Sequence, residues 1–442
     1  MTIREGKLIG KGKTKDILSV IDNDTSVIMR NRDEITKKDD PDLTEILPGK
    51  GKWATTTTVA TFEALKRAGI RVAFLKQLSD TDFLAKACKM TKLEVIARRY
   101  ADGSSLSRNP HLRQPEGQPP FRFHRLEIEF FLKTSGGKIT NKDGLCIGEL
   151  PEDWLVTDKK KPIDDPFITN PHDDTWILCH PKVPTWDPTS KLGFEVKSSN
   201  ILPENVTTKD IAMITRKVFL VLEGMWAQLG LRLIDFKIEF GIDEYGNILV
   251  SDVIDNDSWR LRTIDWRELS KQLFRDDVDM EEVADKYALV AKLVKKFSIP
   301  RQAIVLWRGS DEDEWPTVLS PESINVVRVT KSGHKSPGAC LEILEKLLTE
   351  YPEGGVIITL IGKSNGLGPT SAARTSWPVL GVAVTAETHP EDVWSNLRMP
   401  SQVPMPTMLS PDNAVLMALN ILGQKNPIAY MHRQYAIEEL DI

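Results

Sequence analysis

The stretch LRLIDFKIEFGIDEYGNILVSDVIDNDSWR, residues 231–260, decides how the first half of the chain is read. Apolar and polar residues alternate strictly from Ile234 to Phe240. Ile234, Phe236, Ile238 and Phe240 therefore share one face of a strand, and Asp235, Lys237 and Glu239 share the other. A second apolar run, Ile248–Ile254, follows the turn sequence Glu244-Tyr245-Gly246-Asn247, so the two runs predict an antiparallel hairpin. A turn centred on Tyr245-Gly246 places Glu239 directly opposite Asp252, with Cβ atoms roughly 5 Å apart. Opposed carboxylates need positive charge between them, supplied by Lys237 or by a Mg²⁺ carrying substrate phosphates. Beyond the second strand, Asp255, Asp257, Ser258 and Arg260 crowd one short segment, a polar loop suited to a phosphorylated ligand.

Outward from this hairpin, Ile211, Ile214, Val218, Leu222, Met225 and Leu229 fall at helical spacing over 208–229. Thr207 and Asp210 resemble a capping box, and Gly230 ends the helix. Short strands are predicted at 7–9, 16–21 and 26–30, a helix at about 54–67, and further strands at 71–76, 93–99 and 127–132. Residues 134–200, with scattered Gly, Pro, Asp and Trp and the polar run DKKKPIDDP (158–166), read as long surface excursions with some local order. A helix over about 280–297 ends at Ser298-Ile299-Pro300.

Past Pro300 the pattern changes. Near-continuous apolar strands (303–307, 324–329, 356–361, 378–382) alternate with amphipathic helices (338–350, 412–422), which predicts a parallel, three-layer α/β domain. The expected organisation is one α+β domain over 1–265, a connecting helical segment over 266–299, and the parallel-sheet domain over 300–442.

Four further segments carry chemistry. Gly10-Lys11-Gly12-Lys13-Thr14-Lys15 fails the P-loop pattern but sits between two strands, where a glycine-rich turn lays N–H groups and lysines over phosphates. ARRYADGSSLSRNP (97–110) offers Arg98, Arg99, Gly103, Ser104 and Arg108, combining close backbone approach with bidentate phosphate contacts. In the second domain, Gly333-His334-Lys335 and Ser364-Asn365-Gly366-Leu367-Gly368-Pro369 each follow a strand, the end at which open α/β sheets hold ligands.

The composition limits the alternatives. Lys+Arg (58) and Asp+Glu (63) nearly balance, for a net charge of -5, which gives no global basic surface for nucleic acid or anionic lipid. Four cysteines without a C-x-x-C pair read as reduced, cytoplasmic thiols, and the opening MTIREGKLIG has no apolar targeting core. No apolar run reaches the roughly 18 residues of a membrane span. There is no nucleophile-elbow or metal-like histidine spacing.

Gly12-Lys13-Thr14-Lys15, Arg98-Arg99 with Gly103-Ser104, Lys237-Ile238-Glu239-Phe240-Gly241 and Asp255–Arg260 together resemble SAICAR synthetase. Ser364–Pro369 and Asp392-Val393-Trp394-Ser395-Asn396-Leu397-Arg398-Met399-Pro400 resemble AIR carboxylase, and their order is that of the bifunctional animal enzymes. The resemblance implies a kinase-like or ATP-grasp first domain that joins carboxyaminoimidazole ribotide to L-aspartate with ATP. It implies Gly12, Lys13 and Lys15 on ATP, Glu239 and Asp252 on Mg²⁺, and Lys237 on the phosphoryl group in flight. Arg98, Ser104, Asp257, Ser258 and Arg260 are then on the ribotide. For the second domain it implies carboxylation of aminoimidazole ribotide by CO₂ without biotin, with His334 as proton relay and Ser310, Asp311, Lys335, Ser364, Asn365 and Gly366 as substrate contacts. A homo-octamer built through that domain is also implied. Here the phosphate loop departs from the family: Trp307-Arg308-Gly309-Ser310 is followed by Asp311, Glu312, Asp313 and Glu314. Pro316 and Pro321 fall inside the expected helix. Arg308 and Ser310 stand as substitute phosphate ligands, and the acids predict weaker AIR carboxylation than SAICAR synthesis. Two rival readings are a synthetase whose second domain only holds an oligomer together, and a nucleotide-binding scaffold without activity.

Overall fold

The structure, a computed structural model, describes residues 3–36, 44–151, 155–156, 161–162, 165–276, 279–317 and 323–440. Two compact units divide the chain, one running to Phe297 and the other spanning Ser298–Leu440.

Among the described residues the first unit is built on two large antiparallel sheets, with three two-stranded ribbons beside them. Strands β1 (Glu5–Lys11), β2 (Lys15–Val20), β3 (Asn23–Asn31), β4 (Phe74–Gln77) and β5 (Asp82–Lys86) form the smaller, in the order β1-β2-β3-β5-β4. Helix α1 (Lys50–Arg67) enters after β3 and ends before Gly69, which takes φ +78°. The larger sheet runs β10-β9-β8-β7-β6-β11-β12. Its members are β6 (Lys89–Tyr100), β7 (Arg122–Leu132), β8 (Phe167–Ile168), β9 (Thr175–Cys179), β10 (Lys191–Lys197), β11 (Leu231–Ile242) and β12 (Ile248–Ser251).

Strands β8 to β10 correct the expectation for residues 134–200. Residues 167–197 extend the main sheet, burying Ile168, Trp176, Leu178 and Cys179 completely or nearly so, while Lys138–Thr140 and Cys146–Glu149 pair as a separate ribbon. The alternation over 175–179 is short and its polar flanks are long, so the pattern was masked. Of the run 158–166, Lys161, Pro162, Asp165 and Pro166 lie among the described residues.

The apolar face of β11 packs under helix α2 (Thr208–Gln228), with the Phe219 and Phe236 ring centroids 5.4 Å apart. Thr207 caps that helix by accepting the Asp210 N–H. The opposite face, with Asp235, Lys237 and Glu239, is thereby left to the site. Strand β13 (Trp259–Thr263), which the sequence did not suggest, pairs with the first half of β11, while β12 pairs with its second half. Residues Asp252–Ser258 leave the sheet between the two. Helix α3 (Met280–Val294) packs on α1 and belongs to this unit rather than standing apart as a connector. Its Val283 and Tyr287 join Ile35, Leu47 and Phe274 in one buried cluster.

The second unit is a parallel sheet in the order β15-β14-β16-β17-β18: β14 (Ala303–Arg308), β15 (Asn325–Thr330), β16 (Gly355–Ile361), β17 (Val379–Ala383) and β18 (Thr407–Met408). The three central strands are buried on both faces. Helix α4 (Pro337–Glu350) packs Cys340, Leu344 and Leu347 against Val305, Trp307 and Ile357, and α6 (Pro411–Leu422) covers β16 and β17. Helices α5 (Leu367–Ala372) and α7 (Pro427–Glu438) complete the three-layer α/β unit. Residues 309–317 hold no helix, and Pro321 lies outside the described residues.

Candidate functional site

Cross-strand register of β6, β7 and β11 lays out the charged face of the first site. Asp235 stands opposite Arg98, Glu239 opposite Glu94, and Arg98 in turn opposite Glu127. Opposed residues share a face, so a row of charges from three strands meets on one side of the sheet. Arg98 is 2% exposed. It donates to Glu129 (2.8 Å) and Asp235, and its Nη2 lies 3.5 Å from Ser104 Oγ. Arg260 donates to the same Asp235 (2.5 Å), and Arg108 to Glu129. Three guanidiniums share two carboxylates. Gly103 is required beside it: at φ +56°, a Cβ there would lie 2.5 Å from Arg260 Nη2. The predicted Arg98, Ser104 and Arg260 are thus brought together.

The predicted carboxylate pair needs a correction. Glu239 lies opposite Ser251, not Asp252, because the turn is centred on Tyr245 alone, with Ile242 paired to Ile248. Slipped by one residue, Asp252 belongs to the other face of a regular strand. It reaches the site by leaving the ladder: Asp252 takes φ +64°, a left-handed conformation that costs a non-glycine residue about 1–2 kcal/mol. Its carboxylate meets the Lys15 ammonium. Burial pushes the Lys15 pKa down to about 8, against the attraction of Glu239 and Asp255. Glu239 accepts from Lys133 Nζ at 2.5 Å, and its carboxyl stays below the ordinary carboxylate value although burial opposes this, because Lys133, Lys15 and Lys237 surround it. Lys237 itself donates to Glu94 (2.8 Å), one diagonal step across the sheet. Lys15, Lys237, Glu239 and Asp252 therefore converge, joined by Lys133 and Glu94, which sequence reading missed.

Asp257 and Ser258 do not join them. Asp257 is turned inward onto Lys50 (3.0 Å), Lys271 (3.5 Å) and the Tyr287 hydroxyl, tying the 252–258 loop to helices α1 and α3. Ser258 Oγ bonds within the loop, to Asp255 Oδ1 (3.2 Å) and Val253 O (3.3 Å). Burial and the neighbouring Asp257 raise the Asp255 pKa. Gly12 and Lys13 lie exposed on the β1–β2 hairpin, where Arg32 Nη2 holds both their carbonyls (2.9 and 3.0 Å).

In the second unit the candidate residues gather at the C-terminal ends of β14, β15 and β16. His334 packs against Gly366, where an added Cβ would lie 2.7 Å from Nε2, and the two loops also meet at Gly333, where a Cβ would lie 2.9 Å from the Leu367 backbone. Asn365 is 4% exposed and fully engaged: Nδ2 donates to Asn396 (2.7 Å), and Oδ1 accepts the Gly368 N–H (2.7 Å). It locks the loop rather than facing a ligand, while Ser364 and Lys335 are exposed. Asp311 is also corrected. Its side chain is 84% exposed and held by Arg308, whereas Asp313 enters the crevice, accepting the Ser310 N–H (3.0 Å) close to Gly309 and Gly362.

Family comparison settles what these two units are. The SAICAR synthetase family matches residues 8–140 and 195–292, and the AIR carboxylase family matches 313–437. The chain belongs to the SAICAR synthetase family, fused to an AIR carboxylase domain. It is 32% identical to the "Probable multifunctional protein ADE2" of Caenorhabditis elegans, over 96% of this chain and 92% of that protein. To the human "Bifunctional phosphoribosylaminoimidazole carboxylase/phosphoribosylaminoimidazole succinocarboxamide synthetase" it is 28% identical, again over 96% of this chain and 92% of that protein. Among solved structures, the phosphoribosylaminoimidazole-succinocarboxamide synthase of Ehrlichia chaffeensis is 22% identical with a TM-score of 0.47, covering 66% of this chain and 100% of that one. The synthetase match skips 141–194, the region that holds β8 and β9.

Proposed function

We propose that this chain catalyses two steps of purine biosynthesis: the ATP-dependent ligation of carboxyaminoimidazole ribotide to L-aspartate in the first unit, and the CO₂-dependent carboxylation of aminoimidazole ribotide in the second. The observation that carries the ligase reading is the meeting of Lys15, Lys237, Glu239 and Asp252, with Arg98 and Arg260 joined on Asp235 of the same strand face. In the reaction a ribotide carboxylate oxygen bonds to the γ-phosphorus as the bond to ADP breaks. The aspartate amine then attacks the acyl carbon and phosphate leaves. No protein nucleophile is needed, and positioning and charge carry the catalysis. Lys13 and Lys15 hold ATP phosphates, Lys237 offsets charge on the phosphoryl group, and Ser104 and Arg260, set in place by Arg98, hold the ribotide phosphate.

Glu239 and Asp252 fit Mg²⁺. Both are hard oxygen donors facing ammonium groups, and Mg²⁺ is commonly held by one or two carboxylates completed by substrate phosphates and water. Bound there, the ion would neutralise phosphate charge. In the second unit His334 would relay the proton, with Ser310, Asp313 and the 364–369 loop on the ribotide. No described helix is long and apolar enough to cross a membrane. We place the enzyme in the cytoplasm as a homo-octamer joined through the second unit, whose exposed Trp394, Leu397 and Leu409 leave apolar surface to cover.

Arg260→Lys tests the ligase site. Charge is kept but the planar fork is lost, so the KM for the phosphorylated imidazole should rise about tenfold while that for ATP stays within twofold. A rise confined to ATP would misplace the ribotide phosphate.

A further inference from the structure

Arg308 ends strand β14, paired with Thr330 on β15 and Leu360 on β16. Its side chain is 16% exposed and its donors are engaged on all three nitrogens. Nε donates to Thr330 Oγ1 (2.8 Å), Nη1 to the carbonyls of Asp313 (3.0 Å) and Asp311 (3.3 Å), and Nη2 to the Asp311 carboxylate. The guanidinium also lies over the Trp315 ring, 4.5 Å from its centroid. One side chain therefore grips residues 311, 313 and 315 and fastens them to the end of β15, the strand that leads into Ser332–His334. From within, Asp313 closes the same loop on the Ser310 N–H. Four acids in a row would otherwise repel one another and the ligand. Here one is neutralised by Arg308, and the carbonyls between them point at its N–H groups.

We propose that Arg308 is a positioning residue of the carboxylase site. It sets the 309–315 loop against the end of β15, so that Ser310 and Asp313 are presented beside the His334 loop, and it is not itself a phosphate ligand. The geometry requires a planar, five-donor fork with a stacking face. Lysine, a point charge on a flexible stem, cannot replace it.

The proposal rests on the carboxylase reading, and the test separates the two. Arg308→Lys, Arg308→Met and Thr330→Val are compared in the full chain, with kcat and KM measured for CO₂-dependent carboxylation. Ligase activity of the same preparation reports that the chain is folded. Both Arg308 variants should raise the KM for aminoimidazole ribotide about tenfold or more and to a similar extent, with kcat within about threefold and the ligase unchanged. Thr330→Val, which removes only the anchor on β15, should raise KM about threefold. A lysine variant at wild-type KM would overturn the proposal, because charge alone would then suffice, as for a phosphate ligand. Unchanged KM in all three variants would overturn it too, since the loop would hold itself. If either Arg308 variant lost ligase activity as well, Thr330→Val would decide. A wild-type chain without CO₂-dependent turnover would instead overturn the carboxylase reading.

Discussion

In the first unit three guanidiniums and two carboxylates lie on one face of a sheet, with Arg98, Arg108 and Glu129 each no more than 3% exposed. In the second unit the corresponding groups sit on loops at strand ends, His334, Lys335, Ser310 and Asp311 all exposed, and main-chain hydrogen bonds do most of the holding. A charge change therefore costs more in the first unit than in the second. A buried ionic lattice leaves a stranded charge when one member is removed, whereas an exposed loop charge is screened by water. The same contrast bears on the acidic run 311–314. In a buried lattice such a run could not be tolerated, but on a loop gripped by Arg308 it is.

The largest effect expected from this contrast is on stability. Glu129→Gln removes the carboxylate shared by Arg98 and Arg108, and denaturant unfolding should show a loss of about 3–5 kcal/mol, the scale for breaking a buried pair. A loss below about 1 kcal/mol would mean that the cluster is hydrated and the contrast false.

Next comes the catalytic counterpart. Glu239→Gln keeps size and hydrogen bonding but removes a carboxylate from among Lys15, Lys133 and Lys237, so SAICAR formation should fall about 100-fold or more. CO₂-dependent carboxylation should stay within twofold. Near-wild-type ligation at saturating Mg²⁺ would strike Glu239 from the ligand set.

A smaller, pH-dependent effect is expected at Asp165, on the edge of the first site. Burial pushes its pKa up to about 6, although the Thr134 N–H (2.7 Å) favours the ionised form. A carboxyl raised above its ordinary value of about 3.9 binds its proton more tightly in the folded state. Its ionised form therefore lowers stability in full above pH 6, and the penalty fades as pH falls from about 6 to 4. Asp165→Asn should gain about 1–2 kcal/mol at pH 7.5 and almost nothing near pH 4, read from unfolding midpoints. A gain that grew on acidification would reverse the sign.

The smallest effect belongs to the exposed loop. Asp311→Asn should change stability by about 0.5 kcal/mol or less in the same assay, because its carboxylate is 84% exposed.

Legibility in the sequence followed range. The strict alternation from Ile234 to Phe240 announced both the strand and its charged face, and the apolar runs after Pro300 announced a parallel sheet. The carboxylate pair was nearly legible: the hairpin could be read, but a turn register differing by one residue depends on the five-residue loop Asp243–Asn247, and the left-handed Asp252 leaves no mark in composition. Lys133, Glu129 and Glu94 reach the site only through pairing of strands far apart in the chain, which no local pattern encodes. Asp311 and Asp313 look alike in the sequence, because within a row of acids only the folded loop distinguishes which one turns inward.

The proposed enzyme carries both activities on one chain, each in its own unit. This division is tested most directly by two assays on one preparation: SAICAR formation dependent on ATP and aspartate, and carboxylation of aminoimidazole ribotide dependent on CO₂, each repeated for Glu239→Gln and for His334→Asn. Wild type should perform both reactions, with Glu239→Gln losing only the first and His334→Asn losing only the second. A wild-type chain that performs one reaction alone, or a substitution that abolishes both while the protein remains folded, would contradict it.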